Sequence, residues 1–336
     1  MIIGILKENQ KIENRVPLTP KTASQLKTQG FEIIVESKSG EKSLFSDDDY
    51  KNAGANIYKH ASDVLNKADI LFKINAPSSS EIKNIKPHST IIGNLQNLNS
   101  YDLDIITKNK ITCFALERVP RISRAQPFDI LSSQNNLAGY QSVIKAASLS
   151  SKTIPLMITS AGTTPALKFL IIGAGVAGLQ AIATAERLGG KVFANDQKEE
   201  VKEQIASLGA TFVNDIKTIL PEIDIVITSA FSGTKKAPLI ITRKDILSLP
   251  NHCVLIDMAA KFGGNIENSK NVQTINIKNR IIYGNSNLET LVPTSASTLF
   301  ANNLFNFLQY IYSIENSSIK LDFTDPIIKE TCISKG

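Results

Sequence analysis

One short stretch of this chain decides its fold: Lys168-Phe169-Leu170-Ile171-Ile172-Gly173-Ala174-Gly175-Val176-Ala177-Gly178-Leu179. An apolar run leads directly into Gly-x-Gly-x-x-Gly, here named the glycine turn (residues 173–178), and then into a helix-forming segment that ends at Gly189-Gly190. This order predicts a strand, a tight turn and a helix. The first glycine permits the turn, the second lets the backbone approach a pyrophosphate, and the third lets the helix pack closely on the sheet. The helix N-terminus would then hold the phosphates.

A second strand and an acidic residue follow the glycine turn at the spacing of a dinucleotide site. The apolar segment Lys191–Asn195 precedes Asp196, roughly 20 residues beyond the motif. A carboxylate at this point accepts hydrogen bonds from the adenosine ribose hydroxyls and repels a 2′-phosphate. The sequence therefore predicts an NAD site and favours NAD over NADP, although the nearby cation of Lys198 could tolerate a 2′-phosphate.

The overall composition is typical of a globular protein with two domains. The chain has 336 residues, of which 42% are hydrophobic and 20% are charged. The net charge of +6 is mild and the basic residues are spread along the chain, so nucleic-acid binding is not indicated. Separated cysteines predict a reducing compartment rather than disulfides, and isolated histidines offer no metal site; these residues are Cys113, Cys253, Cys332, His60, His88 and His252.

Neither a signal peptide nor a membrane span is predicted. The apolar run within residues 1–8 is too short for a signal peptide and is typical of a buried strand. The most apolar window, residues 169–185, is interrupted by three glycines and bounded by Lys168 and Glu186. We therefore expect a soluble chain.

Short apolar runs alternate with helical patterns through both halves of the chain. In the first half, strands are predicted at residues 2–6, 31–35, 69–74, 90–92 and 111–115, with helices beginning near residues 20, 47 and 60. After the glycine turn, strands are also predicted at residues 211–213, 223–228, 254–257 and 281–284. This alternation predicts an α/β protein of two doubly wound parallel-sheet, Rossmann-like domains with a cleft between them.

The C-terminal segment is expected to return to the first domain. A helical pattern at residues 287–312, broken by Pro293, and a short pattern at 319–323 have no partner left in the second domain. The predicted domains are therefore residues 1–128 plus 296–336, and residues 129–295, which bind the nucleotide. The strand ends of the second domain lie where open α/β sheets bind nucleotides, and the candidates there are Thr228, Ala230, Met258 and Asn285.

A polar loop at residues 118–129 separates the two domains. It holds three arginines, a glutamine and an aspartate, and a long helix is predicted after it at residues 131–148. One interpretation is a linker whose arginines are solvated. The other is a binding loop that faces the cofactor. The residues alone leave both interpretations open.

Several blocks of the chain closely resemble the NAD(H)-binding alpha subunit of proton-translocating NAD(P) transhydrogenase. The 118–129 loop, which runs on into Leu131-Ser132-Ser133-Gln134-Asn135-Asn136, is specific to that component. The other blocks are shared with alanine dehydrogenase: Gly4-Ile5, Arg15-Val16-Pro17-Leu18-Thr19-Pro20, the glycine turn with Val201-Lys202-Glu203-Gln204, and Asp257-Met258-Ala259-Ala260 to Gly263-Gly264-Asn265.

The resemblance implies that the chain binds NAD(H) and passes hydride directly to NADP(H) on a partner subunit. Arg121, Gln126 and Asp129 would be the catalytic residues at the nicotinamide end, joined there by Ser132. Val176 would hold the pyrophosphate and Asp196 the adenosine. With the glycine turn, the expected cofactor-binding residues are Ile122, Ser123, Arg124, Ile130, Leu131, Ser132, Gly173, Gly175, Val176, Ala177, Gly178, Asp196, Gln197, Lys198, Thr228, Ala230 and Phe231.

Direct hydride transfer requires no acid, base or nucleophile from this chain, so its contribution would be positioning. Gln126 can orient a nucleotide without adding charge, and Arg121 and Asp129 can pair to stiffen the loop. The resemblance also implies membrane-spanning and NADP-binding partner subunits, proton translocation coupled elsewhere, and a homodimer. The expected location is the bacterial cytoplasm or an equivalent reducing compartment, with attachment to the inner membrane through the partners.

Two alternatives are weighed against this function. Alanine dehydrogenase needs an arginine, a lysine and a histidine; Arg15 and Lys73 are present, but Gln96 occupies the expected histidine position and cannot transfer a proton. A non-catalytic NAD-binding regulator is the other alternative. The segment between Val213 and Ile223 is shorter than in familiar transhydrogenases, which carry a mobile lid there. Loss of the lid would weaken NADH retention or slow closure over the nucleotide.

Overall fold

The computed structural model describes residues 1–231, 236–313 and 318–336. The chain forms two compact units, Met1–Gln134 with Thr290–Gly336, and Asn135–Glu289. Within the described residues, each unit is built on a seven-stranded sheet that is parallel except for one edge strand. The predicted pair of Rossmann-like α/β domains is therefore confirmed.

The first unit begins with alternating strands and short helices. Serine residues cap two of these helices, since Ser46 and Ser78 each form a reciprocal capping box with an acidic residue three positions on. The strands are β1 (Ile2–Ile5), β2 (Glu32–Glu36), β3 (Asn56–Tyr58), β4 (Ile70–Lys73), β5 (Thr90–Gly93) and β6 (Thr112–Ala115). The helices are α1 (Pro20–Thr28), α2 (Asp47–Asn52), α3 (Ala61–Leu65), α4 (Ser79–Ile82) and α5 (Ser100–Lys108), and short 3-10 helices lie at Glu41–Ser43, Leu116–Arg118 and Ser123–Phe128.

The second unit contains the predicted strand, turn and helix of the glycine motif. Its strands are β7 (Met157–Thr159), β8 (Gly162–Thr164), β9 (Lys168–Ile172), β10 (Lys191–Asn195), β11 (Thr211–Phe212), β12 (Ile225–Thr228), β13 (Val254–Asp257), β14 (Gln273–Ile277) and β15 (Arg280–Gly284). Its helices are α6 (Ile130–Leu149), in which the boundary between the units falls, α7 (Val176–Arg187), α8 (Lys202–Ser207) and α9 (Arg243–Ser248). Further 3-10 helices lie at Glu199–Val201, Ile216–Thr218, Leu220–Glu222, Ala260–Phe262 and Leu288–Leu291.

The C-terminal segment contributes two helices and an edge strand to the first unit. Its elements are α10 (Pro293–Ile311), β16 (Tyr312–Ser313), β17 (Ser318–Ile319), α11 (Pro326–Thr331) and β18 (Cys332–Ser334). The helical pattern at residues 287–312 is interrupted at Pro293, as expected, because the 3-10 helix Leu288–Leu291 ends before it. Pro293 is the first residue of α10, where its fixed φ suits the helix and its missing N–H would have had no partner in the helix.

The strand order places the glycine turn at a topological switch point of the second sheet. That order is β11-β10-β9-β12-β13-β15-β14, so consecutive strands β9 and β10 are followed by β12 on the other side of β9. Ile172 is in register with Asn195 on one side and with Thr228 on the other. The carboxyl ends of these three strands therefore lie level, at the position where open α/β sheets bind nucleotides.

Apolar side chains cover both faces of this sheet, which explains the continuous apolar run of β9. Phe169 and Ile171 join a buried cluster that includes Ala181 and Ile182 of α7. Leu170 and Ile172 face a separate cluster on the opposite side. A parallel strand that is buried on both faces does not alternate apolar and polar residues. The continuous apolar run before the glycine turn is therefore typical of such a strand.

Candidate functional site

The three glycines of the glycine turn have different physical roles. Gly173 has a φ of +96°, which side chains rarely adopt, and a Cβ there would lie 3.0 Å from Ser229 Oγ. A Cβ on Gly178 would lie 1.7 Å from the carbonyl oxygen of Gly173, so the helix could not start where it does. A Cβ on Gly175 would meet nothing within 4 Å. Gly173 and Gly178 are thus required by the fold, whereas Gly175 faces open space.

The N-terminus of α7 is open to an anionic group. Gly175 is its N-cap residue and provides no side-chain cap to the first turn. Gly175 and Val176 are both exposed, and Ala177 is half-buried. The free N–H groups and the positive end of the helix dipole therefore meet solvent at the switch point, an arrangement suited to a pyrophosphate.

The carboxylate of Asp196 closes the glycine turn from the neighbouring strand. Its Oδ2 accepts a hydrogen bond from the Ala174 N–H at 2.6 Å, and its Oδ1 accepts one from the Lys198 N–H at 2.8 Å. A carboxylate has about four acceptor positions, so about two stay available for ribose hydroxyls. The next two side chains, of Gln197 and Lys198, are exposed, and Lys198 Nζ lies 4.0 Å from Glu200 Oε1.

Gly139 packs against the first turn of α7 and was not among the residues predicted for the site. It lies inside α6, and a Cβ there would come within 2.1 Å of the Ala177 carbonyl oxygen. Nearby, Asn136 Nδ2 donates to Gln180 Oε1 at 3.1 Å. Helix α6 therefore packs backbone to backbone on the first turn of α7. A glycine inside a helical pattern was the available signal, because it often marks such a close approach.

A buried amide holds the backbone that follows β12. Asn265 is fully buried; its Oδ1 accepts from the Ala230 N–H at 3.1 Å, and its Nδ2 donates to the carbonyl oxygens of Ala230 and Pro238. The carboxylate of Asp257, also fully buried, accepts the N–H groups of Asn265 and Ile266. The sequence had indicated Asp257 and Asn265 only as members of a block shared with alanine dehydrogenase.

The strand-end candidates differ in what they expose. Thr228 is fully buried, with its hydroxyl 3.4 Å from the Ile256 carbonyl oxygen. The Ala230 N–H is taken by Asn265. The Phe231 ring stacks on Phe262 with centroids 4.2 Å apart, and residues 232–235 lie outside the described residues. The other two candidates are the half-buried Met258 and Asn285, which is buried and donates to the Tyr283 hydroxyl.

The 118–129 loop presents a regular outer face in the first unit. Residues Ser123–Phe128 form a 3-10 helix, in which residues three apart share a face. Ala125 and Phe128 are buried, whereas Ser123 and Gln126 lie on the exposed side. Arg121 and Ile122 immediately before it are also exposed. The loop is therefore ordered by its apolar inner face and displays a guanidinium and an amide outward.

Asp129 begins α6 instead of pairing with Arg121. Its Oδ1 accepts the Ser132 N–H at 2.8 Å and its Oδ2 accepts the Ser132 hydroxyl at 2.6 Å. The expected Arg121–Asp129 pair was wrong, because the orphan N–H groups of the first helical turn take the carboxylate. Next to Ser132, Ile130 is buried and Leu131 is exposed.

Arg124 is held by the C-terminal segment. Its Nη2 lies 2.7 Å from Asp325 Oδ1, and Asp325 also accepts a hydrogen bond from the Tyr310 hydroxyl. Asp325 in turn caps α11 through the Ile327 N–H. The guanidinium of Arg124 therefore ties the 118–129 loop to α10 and α11.

Nearly the whole chain matches two models of one known family. A family model described as "Alanine dehydrogenase/PNT, N-terminal domain" matches residues 4–138, and its companion, the C-terminal domain, matches residues 142–336. The chain belongs to the alanine dehydrogenase/PNT family. The resemblance to NAD(P) transhydrogenase subunit alpha that the sequence analysis described is confirmed.

Members of the alanine dehydrogenase/PNT family match nearly the whole chain. The first part of the NAD(P) transhydrogenase subunit alpha of Rhodospirillum rubrum is 36% identical over 100% of this chain and 96% of its own length. A crystal structure of transhydrogenase from Sinorhizobium meliloti superimposes with a TM-score of 0.94 at 38% identity, covering 100% and 99% of the two chains. Alanine dehydrogenase 2 of Staphylococcus aureus is 30% identical over 90% of this chain and 85% of its own length.

Two cations that the alanine dehydrogenase/PNT resemblance singled out are buried with carboxylates. Arg15 donates from Nε and Nη2 to Glu13 at 2.8 and 2.7 Å, and from Nη1 to Gln134. Burial alone would raise the pKa of Glu13, but its hydrogen bonds and the charge of Arg15 outweigh burial and lower this pKa. Lys73 Nζ lies 3.3 Å from Glu8 and 3.6 Å from Glu81.

The carboxylates also determine the charge of Lys73. Burial opposes its ammonium form, yet the charges of Glu8 and Glu81 raise the pKa of Lys73 above its ordinary value. Burial raises the pKa of Glu8 in spite of Lys73. Gln96, at the position expected for a histidine, is exposed. These contacts give Arg15 and Lys73 buried structural partners. Residue 96 carries an amide, which cannot transfer a proton near neutral pH.

The segment between Val213 and Ile223 is compact. It consists of the two 3-10 helices Ile216–Thr218 and Leu220–Glu222, with Leu220 buried. The alignment with the Rhodospirillum rubrum protein spans 371 positions against 336 residues here, so that relative has residues without a counterpart in this chain. These two turns form a short surface connection from β11 to β12.

Proposed function

We propose that this chain is the NAD(H)-binding subunit of a proton-translocating NAD(P) transhydrogenase. The observation that carries the proposal is the outer face of the 118–129 loop. The side chains of Arg121 and Gln126 are exposed there and make no hydrogen bond or ion pair with described residues, while Ala125 and Phe128 fix the inner face. Polar groups held in position without internal partners are suited to bind the nicotinamide end of a nucleotide.

The second unit holds the residues proposed to bind the pyrophosphate and the adenosine. The open N-terminus of α7 receives the pyrophosphate, and the spare acceptor positions of Asp196 receive the adenosine ribose hydroxyls. Arg121, Gln126 and Asp129 act at the nicotinamide end, Gln126 through its amide and Asp129 by starting α6. The relatives named transhydrogenase, at 36% and 38% identity, support the same assignment.

Hydride passes directly between NAD(H) on this chain and NADP(H) on a partner subunit. The nicotinamide supplies the hydride chemistry, and this chain positions the ring and limits water around it. No proton donor or acceptor is required from Arg121 or Gln126. The requirement for a second nucleotide makes activity dependent on the partner.

Proton movement and membrane attachment belong to other subunits in this proposal. Among the described helices, none is long and apolar enough to cross a bilayer. Membrane-spanning and NADP-binding partners would complete the enzyme, and this chain would lie at the cytoplasmic side of the inner membrane or in an equivalent compartment. A homodimer is supported by the exposed apolar side chains of the β7–β8 hairpin and the residue before it, Leu156, Met157 and Ile158.

A non-catalytic NAD-binding regulator is the second candidate. The compact connection at residues 213–223 favours it, since a missing lid would reduce turnover more than binding. A membrane-spanning partner encoded beside this chain would favour the enzyme, and activity of the reconstituted complex would exclude the regulator.

The first test measures NADH and NADPH binding to the isolated chain by nucleotide fluorescence, with L-alanine-dependent NAD reduction assayed in the same preparation. We expect NADH-selective binding and no alanine turnover. Alanine-dependent reduction would overturn the proposal in favour of alanine dehydrogenase. Failure to bind either nucleotide would remove the cofactor site itself.

The second test substitutes Gln126 by Asn in the complex reconstituted with partner subunits. The shorter amide keeps its polarity but withdraws the contact by one methylene. We expect NADH binding to be preserved and hydride transfer to slow. Equal loss of both would contradict a positioning role, and full activity would show that Gln126 makes no catalytic contact.

A further inference from the structure

Helices α10 and α11 hold the 118–129 loop from its buried side. The Phe128 ring packs against Phe307 at 5.7 Å and Tyr310 at 5.1 Å between centroids. Arg124 pairs with Asp325 at the start of α11. These contacts all lie within the first unit, and every one of them joins the loop to the C-terminal segment.

Asn303 of α10 makes the most specific of these contacts. Its Nδ2 donates to the Pro127 carbonyl oxygen at 2.8 Å, and its Oδ1 accepts from the Ser133 hydroxyl at 2.7 Å. Asn303 is 7% exposed, so neither bond is easily replaced by water. One buried amide thus fixes the chain two residues before Asp129 and four residues after it.

We infer that Asn303 is a positioning residue for the nicotinamide end of the NAD(H) site. This inference rests on the proposed function. Asn303 itself is buried under the loop and acts through Gln126 and Asp129, whose places it fixes.

The contacts of Asn303 with Pro127 and Ser133, here called the clamp, are needed because of the local structure of the loop. A 3-10 helix has strained hydrogen-bond geometry and is short, so Ser123–Phe128 has little stability by itself. Pro127 inside it has no N–H, which removes one possible backbone bond. Anchoring its carbonyl to Asn303 compensates for that missing bond and fixes the direction in which residue 126 faces outward.

The amide is also chemically specific for this pair of contacts. The Pro127 carbonyl oxygen can only accept a hydrogen bond, so it requires the Nδ2 donor of Asn303. The Ser133 hydroxyl donates to the Oδ1 acceptor of the same amide. An aspartate would keep the acceptor for Ser133 but place a second oxygen against the Pro127 carbonyl. Asn303→Asp therefore breaks one half of the clamp, and Ser133→Ala breaks the other half.

The test compares NADH with ADP-ribose, which lacks the nicotinamide, as ligands of the full chain. We expect Asn303→Asp to weaken NADH binding by about tenfold and Ser133→Ala by about threefold, because each loses one hydrogen bond that holds the loop. These changes displace the whole loop, whereas Gln126→Asn shortens one side chain and leaves the loop in place. ADP-ribose affinity should stay within about twofold, since its contacts lie at the glycine turn and Asp196. Bound NADH should also show a changed emission maximum in Asn303→Asp.

Gln309→Glu is the matched control for the amide-to-acid change. Gln309 lies on the same helix and donates through Nε2 to Gln29 Oε1 at 2.6 Å, away from the loop. It should leave the affinities for both ligands unchanged. If Asn303→Asp fails to fold, Ser133→Ala carries the same test.

The outcomes separate this inference from the proposed function. Parallel weakening of NADH and ADP-ribose affinity in the variants, or no change in either affinity, would overturn the positioning role. The proposed function would still stand, because the unaltered chain binds NADH. Failure of the unaltered chain to bind NADH would overturn both. Selective loss of NADH in both clamp variants, with Gln309→Glu normal, would support the inference.

Discussion

Replacing Asp196 by alanine tests the adenosine end of the site most directly. The substitution removes a carboxylate that accepts the Ala174 and Lys198 N–H groups and has about two acceptor positions left. Hydrogen bonds to a charged group contribute about 1.5–3 kcal/mol. If the ribose hydroxyls use the spare positions, we expect the NADH dissociation constant to rise by about 10- to 150-fold.

The same change should alter nucleotide selectivity. A carboxylate beside the ribose repels a 2′-phosphate, so its removal should weaken NADH binding much more than NADPH binding. The exposed cation of Lys198 would then favour the phosphorylated nucleotide. Fluorescence titration with each nucleotide measures the ratio of the two dissociation constants, which should move toward one.

Thermal unfolding separates loss of contacts to ligand from loss of structure. The freed N–H groups of Ala174 and Lys198 will lower stability, so the affinities are compared below the unfolding transition. Asp322→Ala is the matched control, because Asp322 also accepts the N–H two residues on, that of Thr324, but lies in the first unit. An unchanged NADH dissociation constant in folded Asp196→Ala would refute the ribose assignment.

Four further substitutions test the glycine turn, the buried ion pair and the hairpin. Gly178→Ala should sharply lower the melting temperature, because its Cβ would lie 1.7 Å from a carbonyl oxygen, whereas Gly175→Ala should keep the melting temperature and weaken NADH binding. Glu13→Gln should lower the free energy of unfolding at neutral pH by about 1.5–3 kcal/mol. Because folding lowers the pKa of Glu13, its contribution is present above its ordinary pKa of 4.5 and is lost on acidification below it, so unfolding curves of Glu13→Gln should depend less on pH there. We expect Ile158→Asp to dissociate the dimer into monomers, and light scattering measures this change in molecular mass.

Each of these expectations has a defined contrary result. Equal melting temperatures for Gly175→Ala and Gly178→Ala would contradict the steric account of the turn. Identical acid unfolding with and without the Glu13 carboxylate would show that its pair with Arg15 does not stabilise the fold. Ile12→Asp controls for the hairpin change, since Ile12 is 70% exposed in the first unit; dissociation by both variants would argue against a specific hairpin interface.

The sequence by itself determined the features that depend on near neighbours. The glycine turn was predictable because its strand, turn and helix signals lie within about 20 residues and each glycine has a local steric reason. The predicted strand at 254–257 agrees with β13, and the helix at 131–148 agrees with α6 to within one residue at each end. Asp129 was expected to pair with Arg121, but a local competitor, the Ser132 N–H, takes its carboxylate.

Only the tertiary structure decided which distant residues hold the loop and close the sheets. Asn303 meets Ser133 across 170 residues, and Arg124 meets Asp325 across 201. The antiparallel edge strands β14 and β18 were not predicted, because strand pairing is set by which sheet edge is free after folding. Such contacts form only when separate elements pack together, so residue type and spacing carry almost no trace of them.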